Sequence, residues 1–424
     1  IINMHAKYGI LQFRYVIQPA IDLAENRSRV TAGQAAVLNA NRETFIGRNL
    51  HPPAFVKDAP WNEGDTMRQH DLARTLMRIR DLGRDGFYSG TTARLILKEM
   101  KRGNGIITQK DLNEYASVFR DPLSAEYRGC TIITAPPPSG GGVIILQILG
   151  MLEPYDVTAM GFHSLQSVHI AVEAARRAYA DRAFFLGDPD YNNIPVNELL
   201  NKDYLNKRMS TFDSHAASPS ESVFHGAPLS YESEETTHYS VVDSKGNAVS
   251  ATTTLNNTFG SGIVVDSAGF LLNNEMDDFS VKPGVPNMFG LTGSEANSVS
   301  GGKRMLSSMS PVVAVRDGKL FLVAGSPGGA TIPTSVLQVL MNVIDFGMNI
   351  SQAVDTGRFH HQWLPDKIYY ETGALDQGII EKLQNTGHEM EIRKSIGRVN
   401  AIMMVDGKMS PGADKRGMNA AAWF

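Results

Sequence analysis

Through the first 130 positions, apolar residues recur mostly at helical spacing. Val16–Ala24, Thr66–Leu82 and Thr91–Met100 each carry an apolar stripe, with charged residues opposite in the last two. Such stripes predict helices that bury one face. Tyr127–Thr134 reads as a short strand and runs into Pro136–Gly142, prolines followed by glycines, a rigid-then-flexible turn. Val143–Leu152 predicts a largely apolar helix. Ser164–Leu186 predicts a long amphipathic one, with Leu165, Val168, Val172, Ala175 and Tyr179 on its stripe. Residues 187–235 are loop-rich, with helix around Val196–Met209 and a polar end, Ser214–Glu235, rich in Ser, Glu and Pro.

The pattern changes at Thr236. His238–Asp243, Ala248–Leu255, Gly262–Val265, Val312–Val315 and Leu320–Ala324 read as strands, and Lys245-Gly246-Asn247 turns the first two into a hairpin. Pairs such as Val241-Val242 and Val312-Val313 put apolar residues on both faces, which predicts strands covered on both sides. Thr331–Met348 supplies a covering helix; Gln352–Thr356 and Gln377–Thr386 add helices, and Ile402–Val405 a late strand. Regular strand–helix–strand alternation is absent, so the class is α+β, with two sheets between helical layers.

Composition narrows the function. The chain has 424 residues, 42% hydrophobic, and a net charge of −4. That is enough for a large core, and scattered Lys and Arg make nucleic acid an unsuitable partner. No apolar stretch is long enough to span a membrane. Cys130 is the only cysteine, which rules out a disulfide framework and a cysteine zinc site. Ile1–Tyr8 lacks the plan of a signal peptide.

Candidate chemistry centres on Thr236-Thr237, which opens the first strand of the hairpin. A threonine hydroxyl is a weak nucleophile, but a free N-terminal amine on the same residue is a base for it. A cut between Glu235 and Thr236 would create that pair, and the polar segment upstream suits an exposed processing site. Strand propensity alone also accounts for paired threonines. Alternation places Thr252, Thr254 and Asn256 on one face of the next strand. Glu275, Asp277 and Asp278 crowd three carboxylates into four residues, fit for an ammonium or a metal, or equally for a solvated turn. Ser307-Ser308 follow Lys303-Arg304, a carboxylate seat or a loop cap. Gly328-Gly329 precede a helix, where backbone amides suit an anion or a developing oxyanion. His360-His361 read as structural, since adjacent histidines rarely converge on one ion. No Gly-x-Ser-x-Gly elbow is present.

Taken in order, Thr236–Asp243, Asn273–Ser280, Lys303–Pro311, Gly325–Thr331 and Arg358–Pro365 resemble the gamma-glutamyltransferase (glutathione hydrolase) family of N-terminal-nucleophile hydrolases. Pro136–Gly142 and Tyr179–Pro189 resemble its large-subunit pattern, and the similarity runs from about Ala6 to the C-terminus. The resemblance implies a four-layer αββα sandwich and a precursor that cuts itself at Glu235–Thr236. The pieces would be a large-subunit portion, 1–235, and a small subunit, 236–424. Thr236 would then be the nucleophile, supported by Thr254. Asn256, Glu275 and Asp278 would hold the substrate α-amino end, Ser307 and Ser308 its α-carboxylate, and Gly328 and Gly329 the oxyanion. The implied reaction transfers or hydrolyses a γ-glutamyl group, with water, an amino acid or a peptide as acceptor and no metal or organic cofactor. The family also implies a periplasmic or extracellular location.

Two departures from the family stand out. Its large portion carries an export signal and roughly a hundred further residues, on ordinary domain sizes, ahead of the match at Ala6-Lys7-Tyr8-Gly9. Among them is an arginine that pairs with the substrate α-carboxylate, so the large portion reads as N-terminally incomplete. Phe289, within Pro286–Asn297, falls in the lid loop, where an aromatic hydroxyl is common. Phe keeps the apolar wall without that hydrogen bond, which implies a looser lid. Two other readings stay open: a glutaryl-type β-lactam acylase using the same Thr236 chemistry, and an inactive, partner-binding remnant.

Overall fold

A computed structural model of the chain describes every residue except 27, 224–235, 286, 289, 290, 292 and 424. It forms two compact units: Ile1–Phe119 with Phe259–Asn274, and Arg120–Thr258 with Glu275–Phe424. The first is mainly helical. Phe13–Glu25 packs against His70–Leu82, and Phe45, Trp61 and Met67 join Val30 and Leu38 in a small core. Thr66–Met67 is a short strand paired with Ser28–Arg29, so the helix expected from Thr66 begins at His70. Gly262–Val265 is not a strand; it makes one isolated bridge, between Val264 and Leu271.

The second unit is built on a six-stranded antiparallel sheet. Its order is Lys408–Ala413, Asn400–Val405, Lys319–Gly325, Val312–Arg316, Cys130–Thr134, Leu123–Tyr127. Tyr127–Thr134 is therefore a hairpin corner rather than one strand. Arg128 and Gly129 both take positive φ (48° and 74°), the geometry of a tight two-residue turn. Arginine is an unusual residue there, which hid the turn and the strand before it. Helices Gly141–Leu152 and Ile332–Ile344 pack together beside this sheet in one apolar core that includes Ile132, Ile144, Val312 and Val336.

The hairpin Thr237–Val242/Ala248–Thr253 packs on the strands Lys319–Gly325 and Asn400–Val405. Among the described residues only one of its faces is covered, contrary to the expectation from Val241-Val242. His238 turns inward and is buried, whereas Tyr239 and Val241 are each about half exposed. The period-two alternation of a strand puts those residues on opposite faces.

Leu165–Phe185 is buried on nearly every side from Ser167 to Ala183, not along one stripe. Several of its charges are paired within the protein: Glu173 with Arg176 and Arg177, and Asp181 with Arg208 and the Tyr204 hydroxyl. Ser164 caps the start, its Oγ accepting from Ser167 N at 3.1 Å. No helix among the described residues is long and apolar enough to cross a membrane.

The inward side of the hairpin meets the sheet at Gly325. A Cβ there would lie 2.2 Å from the His238 ring. That ring is held on both sides, Nδ1 to Thr252 Oγ1 at 2.8 Å and Nε2 to Ser240 Oγ at 3.1 Å, so it has little freedom to retreat. Gly325→Ala is expected to cost about 1–3 kcal/mol, the usual range for overpacking. Urea denaturation checks this; a loss under about 0.5 kcal/mol, the scale of surface substitutions, would mean the contact is slack.

Candidate active site

The hairpin places Thr236. Thr237 pairs with Thr253, so the next step of the register sets Thr236 across from Thr254. Thr254 Oγ1 accepts the Asn256 N–H at 2.8 Å and also bonds the Glu275 carboxylate. Asn256 is buried with a φ of 73°, a left-handed conformation that asparagine tolerates better than most residues.

Glu275–Asp278 forms a single 3₁₀ turn. Asn297, buried, ties it to the serine pair: Nδ2 donates to Asp278 O at 2.7 Å, and Oδ1 accepts from Leu306 N at 3.0 Å. Ser307 is clasped by the proline–glycine turn. Ser307 N donates to Pro138 O at 2.8 Å, and Gly140 N to Ser307 O at 2.7 Å. Gly141 admits no side chain, since its Cβ would sit 2.5 Å from Ser308 O. Gly328 and Gly329 take φ of 137° and 52°, available to glycine at little cost.

These elements converge. Thr236, Thr254, Asn256, Asp278, Ser307, Ser308 and Gly329 line one small cavity of about 20 Å³, with Leu291, Met309 and Ile332 as its apolar wall. Glu275 and Gly328 adjoin these residues without lining the cavity. Glu235 and Phe289 lie outside the described residues. His360 and His361 bond separate partners, Thr334 and Gln362 for the first and Asp366 for the second.

Electrostatics divide the cavity. Asp278 is pushed up to about 8, mainly by burial, then by Glu275, with Arg182 opposing. Glu275 is also raised, by burial. Such a pair is short of positive charge, and a bound ammonium would supply it. Arg182, fully buried and near enough to Asp278 to act on it, reaches Ser308 Oγ from Nη2 at 3.4 Å. A guanidinium donating to that oxygen leaves the Ser308 O–H free to donate into the cavity. Arg182 and Asn297 were not singled out in the sequence. Arg182 was one charge among several on a helix read as amphipathic, and nothing local marks Asn297.

Thr236, just ahead of a strand, and Gly329 thus share one cavity on a layered α+β frame. A solved cephalosporin acylase from Bacillus halodurans has this fold, with a TM-score of 0.85 over 100% of this chain and 76% of its own, at 23% identity. The profile of the gamma-glutamyltranspeptidase family matches residues 2–424. The glutathione hydrolase proenzyme of Escherichia coli (strain K12) is 44% identical over 416 residues, 97% of this chain and 72% of the relative. That of Pseudomonas aeruginosa is 43% identical over 419 residues, 97% and 74%. The chain belongs to the gamma-glutamyltranspeptidase family.

The Asp278 shift has a consequence for stability. Its folded value near 8 stands far above the ordinary 3.8, so ionisation opposes folding. The stability it contributes is whole below about pH 4 and is lost as pH rises toward 8. Asp278→Asn should therefore melt like the parent near pH 4 and increasingly above it toward pH 8. Melting curves across that range check this, and a constant difference would contradict it.

Proposed function

We propose that this chain is a γ-glutamyl-transferring and γ-glutamyl-hydrolysing enzyme that matures by cutting itself between Glu235 and Thr236. One observation carries the reading: the cavity that holds Thr236 and Gly329 also holds Asp278 and the Ser307–Ser308 pair. A γ-glutamyl group is zwitterionic at its α-carbon and carries the carbonyl to be attacked at the far end of its side chain. Asp278, with Glu275 and Asn256 beside it, suits the ammonium. Ser307 and Ser308, with Arg182 behind, suit the carboxylate. Holding the α-carbon aims the distant carbonyl at Thr236, replacing a chance encounter with a fixed approach.

The chemistry follows from that placement. Thr236 Oγ adds to the γ-carbonyl carbon while its proton passes to the Thr236 α-amine. The oxyanion formed is met by the Gly328 and Gly329 amides. Collapse breaks the C–N bond, the leaving amine takes the proton, and a γ-glutamyl ester remains on Thr236. Water then gives glutamate, and an amino acid or peptide gives a new γ-glutamyl amide, a ping-pong course. Thr254 supports the Thr236 hydroxyl, and Phe289 serves as the lid residue. Self-cleavage uses the same hydroxyl against the Glu235 carbonyl carbon: an ester replaces the peptide bond, the Thr236 amine is released, and water hydrolyses the ester. The products are a large portion ending at Glu235 and a small subunit beginning at Thr236. Glutathione is the donor that the names of the relatives favour, and the family's export points to the periplasm or the cell exterior.

A glutaryl-type β-lactam acylase would share Thr236 but has no α-ammonium to satisfy Asp278 and Glu275. The likeness to the Bacillus halodurans enzyme, at 23% identity, is one of fold alone. Competing a γ-glutamyl anilide against a glutaryl substrate separates the two, with the anilide expected to be preferred.

Thr236→Ala is expected to leave the chain whole and to lower turnover by at least about 10³-fold, the scale of losing a covalent nucleophile. Intact-mass measurement and an anilide assay read the two effects. Residual turnover near the parent level would refute the assignment, and a parent chain with no species starting at Thr236 would refute the self-cleavage.

A further inference from the structure

The stretch 213–223, the last described before the proposed cut, is held by buried groups and by the partly exposed Asp366, which its sequence does not announce. Glu173 Oε1 accepts from Ser218 N at 3.0 Å. Asp366 Oδ2 accepts from Ser220 N at 2.7 Å. Trp363 Nε1 donates to Ser220 O at 2.9 Å and to Val223 O at 3.0 Å. Arg176 joins the two carboxylates, bonding Glu173 at 3.2 Å and also Asp366 and the Ser220 hydroxyl. Further back, His169 Nε2 meets Asp213 O at 2.8 Å and Ala217 N donates to Thr386 O at 2.7 Å. Glu173, Arg176, Ser220 and Trp363 are all essentially buried.

Three features separate this cluster from ordinary packing. Most of the bonds end on backbone atoms of the stretch, so they fix its path rather than recognise side chains. The groups come from both sides of the cut, Glu173 and Arg176 from the helix before it and Trp363 and Asp366 from after it. Buried charges of this kind stabilise little compared with apolar packing, and their best-attested use is to specify one arrangement. A metal centre is the rival use, since His169, Glu173 and His388 offer donor atoms within 4.8 Å of one another. The two rings already share one hydrogen bond at 2.7 Å, and two guanidiniums hold Glu173, a setting that repels a cation.

We propose that Glu173, Arg176, Trp363 and Asp366 form a positioning clamp for self-cleavage. It fixes the chain at 213–223, so that only 224–235 lies between a rigid anchor and the bond that Thr236 attacks. These are positioning residues: none lines the cavity that holds Thr236. The clamp bears on the cutting step and not on later turnover, because a γ-glutamyl substrate is held by other residues. The proposal rests on the cut at Glu235–Thr236.

The test follows the full chain, made by translation in vitro, from precursor to fragments over time. Trp363→Phe keeps an apolar ring and removes the N–H; Asp366→Asn keeps shape and removes charge. Both are expected to slow cutting by about tenfold or more, the scale of a small misplacement of reacting groups. Turnover per cut molecule should stay within about twofold of the parent, well inside the scale of a lost catalytic contact. Asp345→Asn is the control, a buried carboxylate bonded by the Tyr127 hydroxyl at 2.9 Å away from the clamp. It should lower the melting temperature without slowing cutting. Melting of each variant in the uncut Thr236→Ala background separates misfolding from misplacement, and Ser220→Ala decides if either clamp variant fails to fold. Cutting at the parent rate in the folded variants, or equal slowing by Asp345→Asn, overturns the clamp. A parent chain that is never cut at Glu235–Thr236 instead overturns the proposed function.

Discussion

The seating of the His238 ring on Gly325 is the contact from which the geometry of the site follows. Thr236 stands two residues before His238 on the hairpin, and Gly328 and Gly329 stand three and four residues after Gly325 on the sheet. A buried ring against a bare backbone therefore sets how closely the hairpin approaches the glycine turn. Burial keeps that imidazole neutral, pushed down to about 4, so the contact carries no charge to be titrated near neutrality. It acts as a spacer whose length is one side chain, and two hydroxyls fix its orientation. The proposed catalysis by glycine amides would need such a spacer, because donors aimed at a developing charge work only where little reorganisation is required.

The opposite end of the cavity is electrostatically costly when empty. Two carboxylates, both raised, lie near a buried guanidinium whose own ionisation burial disfavours. Strain of this sort concentrates where a ligand relieves it. A zwitterion held as proposed would do so, its ammonium against Asp278 and its carboxylate beside Ser308 and Arg182. A glutaryl group offers only one of the two charges. The proposed preference for γ-glutamyl compounds thus rests on the pairing of costs rather than on either group alone.

Much of this was legible in the order of short motifs. Thr236, Asn256, Asp278, Ser308 and Gly329 each had an ordinary reading, and their succession along the chain gave them a joint one. The strands were legible where alternation or apolar runs extend over several residues, as at Val312–Arg316 and Lys319–Gly325. The failures share a cause. Arg182, Glu173 and Arg176 sit on a helix whose polar residues looked solvated, because periodicity cannot distinguish a solvated charge from one buried inside the protein. The Arg128–Gly129 turn was missed because arginine rarely adopts positive φ and gives no turn signal. Tyr239 and Val241 looked buried because apolar character was read without knowing what covers the hairpin.

The compact units do not divide where the proposed cut divides the chain. Residues on both sides of Glu235–Thr236 belong to one unit, Arg120–Thr258 with Glu275–Phe424. Cys130–Thr134, from before the cut, pairs along its whole length with Val312–Arg316, from after it. The apolar core likewise joins Ile132 and Ile144 to Val312, Val336 and Leu340. Breaking the one peptide bond of the proposed cut removes none of these contacts. Such a protein can therefore acquire a new N-terminal amine at its centre while its sheet and core stay assembled. The constraint this leaves is local: the segment ahead of the scissile bond must be held well enough to be cut, yet the bond must lie beyond the part that is held. The proposed clamp on 213–223 would meet both demands, because the stretch it holds ends ahead of Glu235.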